Sequence, residues 1–366
     1  MTLAESLRSR GADCTFVCRE HPGHQLSNLR AAGHRVFGLP VQRSVSHAAG
    51  TSAVRHVDWL GNAPRCDADE TRHAVGDEKF DWLIVDHYGI DQGWTRHARS
   101  LARRVLVLDD LADRRHDADV LLDQNLYPAP LRRYQKLVPA SCRMLLGPKF
   151  ALLRSEFRRQ RNDVDRRGGP WDGLDGDRRR LLIFLGGMDA GNVTARVLKA
   201  FETALHGGLA AHWDLDVVAG GNNPHHAKLR VLCERLSSHT RCNAQLAVDV
   251  TDMASRLASA DLAITAGGGV TWERCCLGVP AGVITVADNQ IESARWLHQR
   301  SVCRYLGDES ELDDVSMAAA IGSFLDASKS ALLWDGLRRR SSELVDGQGA
   351  ERVGRLLSAR LDRLAA

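Results

Sequence analysis

The stretch around residues 261–278 constrains the fold more than any other part of the sequence. A short apolar run at 261–264 is typical of a buried strand, three glycines follow at 267–269, and residues 270–277 have helical spacing. The glycines let a ligand approach the backbone closely, and the start of a helix presents unpaired N–H groups. The sequence therefore predicts a strand, a turn and a helix with an anion site at the turn. A tight turn without a ligand stays open as the alternative.

Strand and helix patterns alternate on both sides of a charged, glycine-rich segment at residues 158–180, which we interpret as a linker. The predicted strands lie at residues 14–18, 36–39, 82–85, 105–108, 121–125, 181–185, 215–218, 261–264, 282–286 and 302–305. This alternation predicts an α/β protein with two Rossmann-like domains of parallel sheets, at residues 1–157 and 181–366. The last two amphipathic helices, at 335–344 and 351–364, are expected to cover the second core.

The first predicted element is a helix at residues 3–10, which is unusual for this class of fold. In a doubly wound domain a strand precedes the first helix, and the turn between them often faces the ligand. We therefore expect that the first strand of the N-terminal domain and its glycine loop are missing from the sequence, through a misassigned start or a real loss.

Composition narrows the class of partner. A formal net charge of +3 over 366 residues gives no electrostatic reason to expect nucleic acid, and no apolar run approaches the roughly 20 residues of a membrane span. The nine cysteines are odd in number and lack paired zinc spacing, which is typical of a reducing compartment. We expect a cytoplasmic monomer that acts on a small molecule, with no cofactor and no metal.

Two further turns in the second half carry small or amide residues after a predicted strand. Gly186 and Gly187 follow the strand at 181–185, with Asn192 as the expected cap of the next helix, and Asn289 and Gln290 follow the strand at 282–286. Because the carboxyl ends of parallel strands meet at one edge of a sheet, these turns and the 267–269 turn predict a site for a phosphate-bearing ligand.

In the first half, predicted strands end in Asp86 and His87 and in Asp109 and Asp110. Such carboxylates can act as bases, bind hydroxyl groups or cap helices, and His87 has an ordinary pKa suited to proton transfer, although a structural histidine is the alternative. Arg154 follows the last motif of this half and is expected either to face the ligand or to lie in solvent.

These motifs together resemble the PseG-type UDP-sugar hydrolases of pseudaminic acid biosynthesis, within the wider group built like the inverting GT-B glycosyltransferase MurG. The resemblance runs nearly end to end. The motifs that carry it are FVCRE at 16–20, DHYGI at 86–90, DD at 109–110, LDQN at 122–125, LVP at 137–139, FALLR at 150–154, GGMD at 186–189, AGG and WE within 266–273, and DNQ at 288–290.

The resemblance implies two Rossmann-like domains that face a cleft, with UDP held mainly by the C-terminal one. It also implies metal-independent hydrolysis of UDP-2,4-diacetamido-2,4,6-trideoxy-β-L-altropyranose, by water attack at the anomeric carbon with inversion. Glu273 would hold the ribose, and Asn289 and Gln290 would contact the sugar or a phosphate. The residues expected to bind the substrate are Gly186, Gly187, Gly267, Gly268, Gly269, Val270, Thr271, Glu273, Asn289, Gln290 and Arg154.

One feature of the family is not matched. The family activates its water with a histidine in a Gly-x-Gly-His loop between the first strand and the first helix, and no histidine of this sequence corresponds to it. The general base is therefore expected to be absent from the chain, with Asp86 and His87 as candidate contributors and turnover expected to be poor. A glycosyltransferase of the same architecture and a non-catalytic nucleotide-sugar binding module are the alternatives.

Overall fold

The structure is a computed structural model of the chain. It describes residues 1–42, 54–166, 178–209, 211–326 and 331–359. The chain divides into two compact units, which are Met1–Leu152 with Gly349–Ala366 (unit 1) and Leu153–Gln348 (unit 2). Of the helices in the described ranges, none combines the length and the apolar character that crossing a membrane requires.

The described residues of unit 1 contain six strands, which form two parallel sheets. The strands are β1 Thr15–Arg19, β2 Arg35–Leu39, β3 Phe80–Asp86, β4 Ala102–Leu108, β5 Val120–Asp123 and β6 Arg143–Leu146. The helices are α1 Thr2–Arg8, α2 Leu26–Ala31, α3 Pro64–Val75, α4 Gln92–Ala98, α5 Pro130–Tyr134 and, from the C-terminal end of the chain, α14 Gly349–Ser358; 3₁₀ turns lie at Val57–Leu60, Arg99–Leu101 and Pro148–Phe150. β1 pairs with β2, and β3 to β6 form a second sheet in sequence order.

Unit 2 is a six-stranded parallel sheet covered by helices. Its strands are β7 Arg178–Phe184, β8 His212–Ala219, β9 Cys242–Val248, β10 Leu262–Ala266, β11 Ala281–Thr285 and β12 Arg304–Asp308. Its helices are α6 Ser155–Arg166, α7 Val193–His206, α8 His226–Ser237, α9 Met253–Ser259, α10 Val270–Cys276, α11 Asp288–Gln299, α12 Asp314–Asp326 and α13 Ala331–Leu344.

The strand order of unit 2 is β12-β11-β10-β7-β8-β9, so the first strand, β7, lies in the middle of the sheet. From β7 the chain winds one way through β8 and β9 and then returns to place β10 on the other side of β7. Ligands of open parallel sheets bind beyond the carboxyl ends of the strands at such a reversal. The turns after β7, β10 and β11 are therefore neighbours at this edge, because these three strands are adjacent.

The predicted α/β class with parallel sheets is confirmed. The sequence did not predict β9, because its residues alternate between buried and exposed positions on an outer strand and form no apolar run. Residues 158–166 of the expected linker continue helix α6, residues 167–177 lie outside the described residues, and residues 178–180 begin strand β7. Arg161, within the segment interpreted as a linker, donates from Nη1 to the carbonyl oxygens of Cys276, Ser342 and Val345 at 2.8–3.0 Å.

The C-terminal helix differs from expectation in the core that it covers. The sequence assigned it to the second domain, but α14 packs on α1 in unit 1, where Val353 and Leu357 are buried beside Leu3 and Leu7. Trp82 of β3 also donates its indole N–H to the Leu357 carbonyl oxygen at 2.9 Å. An amphipathic pattern indicates that a helix has a buried face, but it does not say which core that face meets.

The expectation of a strand ahead of α1 stays a prediction. Among the described residues, β1 pairs only with β2 and β3 pairs only with β4. A parallel strand between β1 and β3 would join the two sheets of unit 1. The order β2, β1, added strand, β3, β4, β5 would then match the order β9, β8, β7, β10, β11, β12 of unit 2.

Candidate functional site

The turn between β10 and α10 is organised by the side chain of Gln290. The Oε1 atom of Gln290 accepts hydrogen bonds from the backbone N–H of Gly267 at 3.2 Å and of Val286 at 3.1 Å. A Cβ atom at position 267 would lie 3.0 Å from the Gln290 Cβ, so a larger residue there would force the Gln290 side chain to shift by a few tenths of an ångström. The amide oxygen of Gln290 is thus used within the protein, and its NH₂ group lies beside Gly268, 3.7 Å from where a Cβ would stand.

Three backbone donors remain at this turn. Gly267 donates to Gln290 and Thr271 donates to the Gly268 carbonyl oxygen at 3.0 Å. Within the described part of the chain, the N–H groups of Gly268, Gly269 and Val270 donate to no protein acceptor. Consecutive unpaired N–H groups at the start of a helix suit an anionic oxygen.

Glu273 lies in the first turn of α10 and is half-buried. Burial raises the pKa of its carboxyl group, the Arg154 charge opposes that rise, and Glu156 adds to it. Arg154 forms an ion pair with Glu156 at 3.0 Å and is partly exposed. In the described ranges the Glu273 carboxylate has no hydrogen-bond partner, so it is free to accept from a ligand. Arg154 was expected either to face the ligand or to lie in solvent. The structure places its charge close to Glu273, a candidate site residue.

The turn after β7 is built differently from the sequence expectation. Gly186 adopts φ +108°, a conformation that favours glycine. The cap of α7 is Asp189, whose carboxylate oxygens accept from the N–H groups of Val193 at 2.7 Å and Thr194 at 3.0 Å. Asn192, the expected cap, makes no such bond and has a left-handed backbone. The start of α7 therefore already holds a carboxylate, which disfavours a phosphate there.

Asn289 and Gln290 both lie in the first turn of α11 and are half-buried. The Asn289 amide makes no hydrogen bond to another described residue, whereas the Gln290 oxygen is engaged as above. The structure thus brings together two of the predicted turns in unit 2, the one after β10 and the one after β11, through the Gln290 side chain.

In unit 1, Asp86 lies at the carboxyl end of β3 and remains accessible to solvent. Neighbouring protein atoms nevertheless desolvate it enough to raise its pKa, while the N-terminal amine and His87 lower it. Asp86 makes no hydrogen bond or ion pair with any described residue. Its carboxylate is available to a water molecule.

His87 differs from Asp86 because both of its ring nitrogens are engaged. Nδ1 accepts from the Gly89 N–H at 3.0 Å, and the ring also hydrogen-bonds to the backbone of Trp59. Burial lowers the pKa of His87, so the neutral ring is favoured. In this arrangement His87 has no free acceptor for a proton, and it holds two loop segments together.

Asp109 and Asp123 of unit 1 lie in different electrostatic environments. Burial would raise the pKa of Asp109, but the nearby His116 ring, 3.7 Å away, and the charge of Arg114, 2.9 Å away, hold it at about 2. Burial instead raises the pKa of Asp123 to about 7, since its partners are neutral donors, the N–H of Asn125 and the hydroxyl of Tyr134. Sequence patterns place these acids after predicted strands, but only their tertiary contacts explain why the pKa of Asp109 is low and that of Asp123 is high.

A separate groove of about 540 Å³ lies in unit 2 over β7, β8 and β9 beneath α9. Two of its arginines pair with acids: Arg256 with Asp216 and Asp252 at 2.8 Å, and Arg178 with Asp214 at 2.7 Å. In the described ranges no three His, Cys, Asp or Glu side chains are grouped in a way that could hold a metal ion.

No family model matches the sequence. Two curated relatives are similar to it. The spore coat polysaccharide biosynthesis protein SpsG of Bacillus subtilis is 25% identical over 225 residues, which span 62% of this chain and 61% of the relative. The UDP-2,4-diacetamido-2,4,6-trideoxy-beta-L-altropyranose hydrolase of Campylobacter jejuni is 24% identical over 233 residues, spanning 63% of this chain and 76% of the relative. The alignments are thus shorter than the nearly end-to-end match expected, and the first covers less than two thirds of the relative.

Among solved structures, MurG of Acinetobacter baumannii superposes with a TM-score of 0.62 at 14% identity, over 97% of this chain and 94% of that chain. At this identity the likeness concerns the fold. Together with the parallel, doubly wound sheet of unit 2, it defines the chain as a GT-B-type α/β protein. The resemblance drawn from the motifs is also confirmed by the curated relatives: part of the chain is similar in sequence to the UDP-sugar hydrolase of Campylobacter jejuni and to SpsG.

Proposed function

We propose that this protein hydrolyses a UDP-linked 2,4-diacetamido-2,4,6-trideoxy sugar to the free sugar and UDP. The observation that carries the proposal is the β10–α10 turn, where three unpaired N–H groups and the unpaired Glu273 carboxylate lie within six residues. The N–H groups would hold a phosphate oxygen of UDP, and Glu273 would accept from the ribose hydroxyls. The hydrolase from Campylobacter jejuni, a relative of this chain, supports the choice of sugar and of reaction.

In this proposal the departing UDP carries the negative charge that develops as the anomeric bond breaks. The N–H groups of Gly268, Gly269 and Val270 and the NH₂ group of Gln290 would stabilise that charge. Water would attack the anomeric carbon from the opposite side, which inverts its configuration. Asp86 is the candidate acceptor for the water proton, since its carboxylate is free, whereas the two nitrogens of His87 are engaged.

The test is release of UDP from the purified protein with the UDP-linked sugar, with proton NMR following the anomer formed. We expect slow release with inversion, and a Glu273→Ala variant that raises the KM about 10- to 100-fold through loss of the ribose hydrogen bonds. Glu311→Ala, which removes a largely exposed carboxylate in the same unit, is the matched control.

The two alternatives predict different outcomes. Transfer of the sugar to an added acceptor, with no release to water, would indicate a GT-B glycosyltransferase, which the likeness to MurG favours. Tight UDP binding by calorimetry with no turnover would indicate a binding module. Either result would refute hydrolysis.

A further inference from the structure

Three aromatic rings of unit 1 form a cluster that the proposed UDP site does not use. We call His56, Trp59 and Tyr88 the aromatic shelf. The ring centroids are 4.5 Å apart for His56 and Trp59, 5.8 Å for His56 and Tyr88, and 6.0 Å for Trp59 and Tyr88. Trp59 is 56% exposed, and no other tryptophan of the described residues is exposed to that degree. A large aromatic ring left in solvent beside two others is a candidate for ligand contact.

The aromatic shelf is held in place by the backbone around it. The His87 ring bonds to the N–H of Gly89 and to the backbone of Trp59, and so ties the 3₁₀ turn Val57–Leu60 to the loop after β3. The two segments also touch directly, since a Cβ atom at Gly89 would lie 2.7 Å from the carbonyl oxygen of His56. A preformed surface of this kind loses little conformational entropy when a ligand binds.

A buried acceptor lies next to the aromatic shelf. Burial and the neighbouring Asp110 carboxylate raise the pKa of the Tyr88 hydroxyl, so Asp110 lies beside the aromatic shelf. The Oδ2 atom of Asp110 is 3.4 Å from the Asn125 amide nitrogen, which donates to it, but Oδ1 is buried and has no hydrogen-bond partner among the described residues. A buried acceptor without a donor is costly, so a donor brought by a ligand would be favoured.

We propose that the aromatic shelf binds the apolar face of a pyranose ring, and that Asp110 Oδ1 accepts a hydrogen bond from a hydroxyl or acetamido N–H group of that sugar. A pyranose has C–H groups on its faces and polar groups at its rim, which matches aromatic rings with one acceptor at their edge. This inference rests on the proposed function only for the kind of sugar, because the aromatic shelf belongs to unit 1 and the proposed UDP contacts belong to unit 2.

Fluorine NMR of the protein labelled with 5-fluorotryptophan tests the proposal directly. Trp59→Phe identifies the Trp59 signal, and the buried Trp94 of the same unit is an internal control. We expect free N-acetylglucosamine and UDP-N-acetylglucosamine to shift the Trp59 signal, and UDP alone to leave it in place. No shift with the free sugar at about 0.1 M, which fills most of a site with a Kd of about 10 mM, would overturn the proposal.

The free sugar separates this inference from the proposed function. A Trp59 shift with N-acetylglucosamine in a protein that binds no UDP would refute the proposed function and support the aromatic shelf. Conversely, UDP binding with no shift of the Trp59 signal by N-acetylglucosamine would support the UDP site and refute sugar binding at the aromatic shelf.

Discussion

At the scale of single residues, Asp123 shows how a buried acid contributes to stability. Its side chain is almost fully buried, Oδ1 accepts from the Asn125 N–H at 2.9 Å, and Oδ2 lies 3.0 Å from the Tyr134 hydroxyl. The same hydroxyl can donate to the Asp109 carbonyl oxygen at 3.1 Å. Protonated Asp123 can therefore donate to Tyr134 while Tyr134 donates to Asp109, so every group is satisfied.

Because burial raises the pKa of folded Asp123 to about 7 from about 4 when unfolded, this acid favours the folded state most at low pH. Its contribution is fully present below about pH 4 and is lost as the pH rises through about 7, and it amounts to at most about 4 kcal/mol. Asp123→Asn keeps the neutral hydrogen bonds at every pH. We expect the variant to match the wild type near pH 4 and to be more stable at pH 8.

Urea denaturation at a series of pH values measures this difference as a free energy of unfolding. Asp81→Asn, which removes a largely exposed carboxyl from β3, is the matched control and should leave the pH dependence as it is. If the Asp123→Asn and wild-type curves stay parallel between pH 4 and pH 8, the acid is ionised in the folded protein and the prediction fails.

The residues of the candidate site divide into those that local sequence predicts and those that it does not. The glycine turn and the place of Glu273 in the first helical turn follow from strand, glycine and helix signals within one short stretch. The hydrogen bonds of Gln290 do not, since they join two turns that meet only in the sheet. The sequence also predicted the wrong cap for α7. The backbone conformation brings the Asp189 carboxylate, and not the Asn192 side chain, to the first N–H groups of the helix, and sequence composition does not reveal this conformation.

At the scale of elements, the β10–α10 turn contains two glycines with opposite steric surroundings. A Cβ atom at Gly267 would lie 3.0 Å from the Gln290 Cβ, whereas one at Gly269 would meet nothing within 4 Å. Gly269 also has a right-handed helical backbone that alanine adopts readily. Gly269→Ala should therefore stabilise unit 2 by about 0.4–1 kcal/mol through the unfolded state. Gly267→Ala should destabilise it and weaken UDP binding about tenfold.

Chemical denaturation and UDP calorimetry on this matched pair test the role of Gln290 as an organiser of the turn. The two substitutions add the same methyl group two residues apart, so a general effect of alanine would change both variants alike. Equal stability and equal UDP affinity of the two variants would show that the contact between Gly267 and Gln290 does not organise the turn.

At the scale of the whole molecule, the chain leaves unit 1 at Leu152 and returns to it at Gly349. The sequence predicted the helix that makes this return but assigned it to the wrong core, since its apolar face would suit either. Neighbouring helices α13 and α14 belong to different units although only four residues separate them. Side chains on these two helices should therefore affect different unfolding transitions.

Leu357 of α14 and Leu337 of α13 are equally buried, each 5% exposed, which makes them a matched pair. Leu357→Ala should destabilise unit 1 by about 2–5 kcal/mol, and Leu337→Ala should destabilise unit 2 by a similar amount, because each leaves a cavity in its own core. Fluorotryptophan signals separate the two transitions, with Trp94 reporting unit 1 and Trp213 reporting unit 2. If Leu357→Ala shifts the Trp213 transition and spares that of Trp94, α14 stabilises the second core and the sequence-based boundary is the better one.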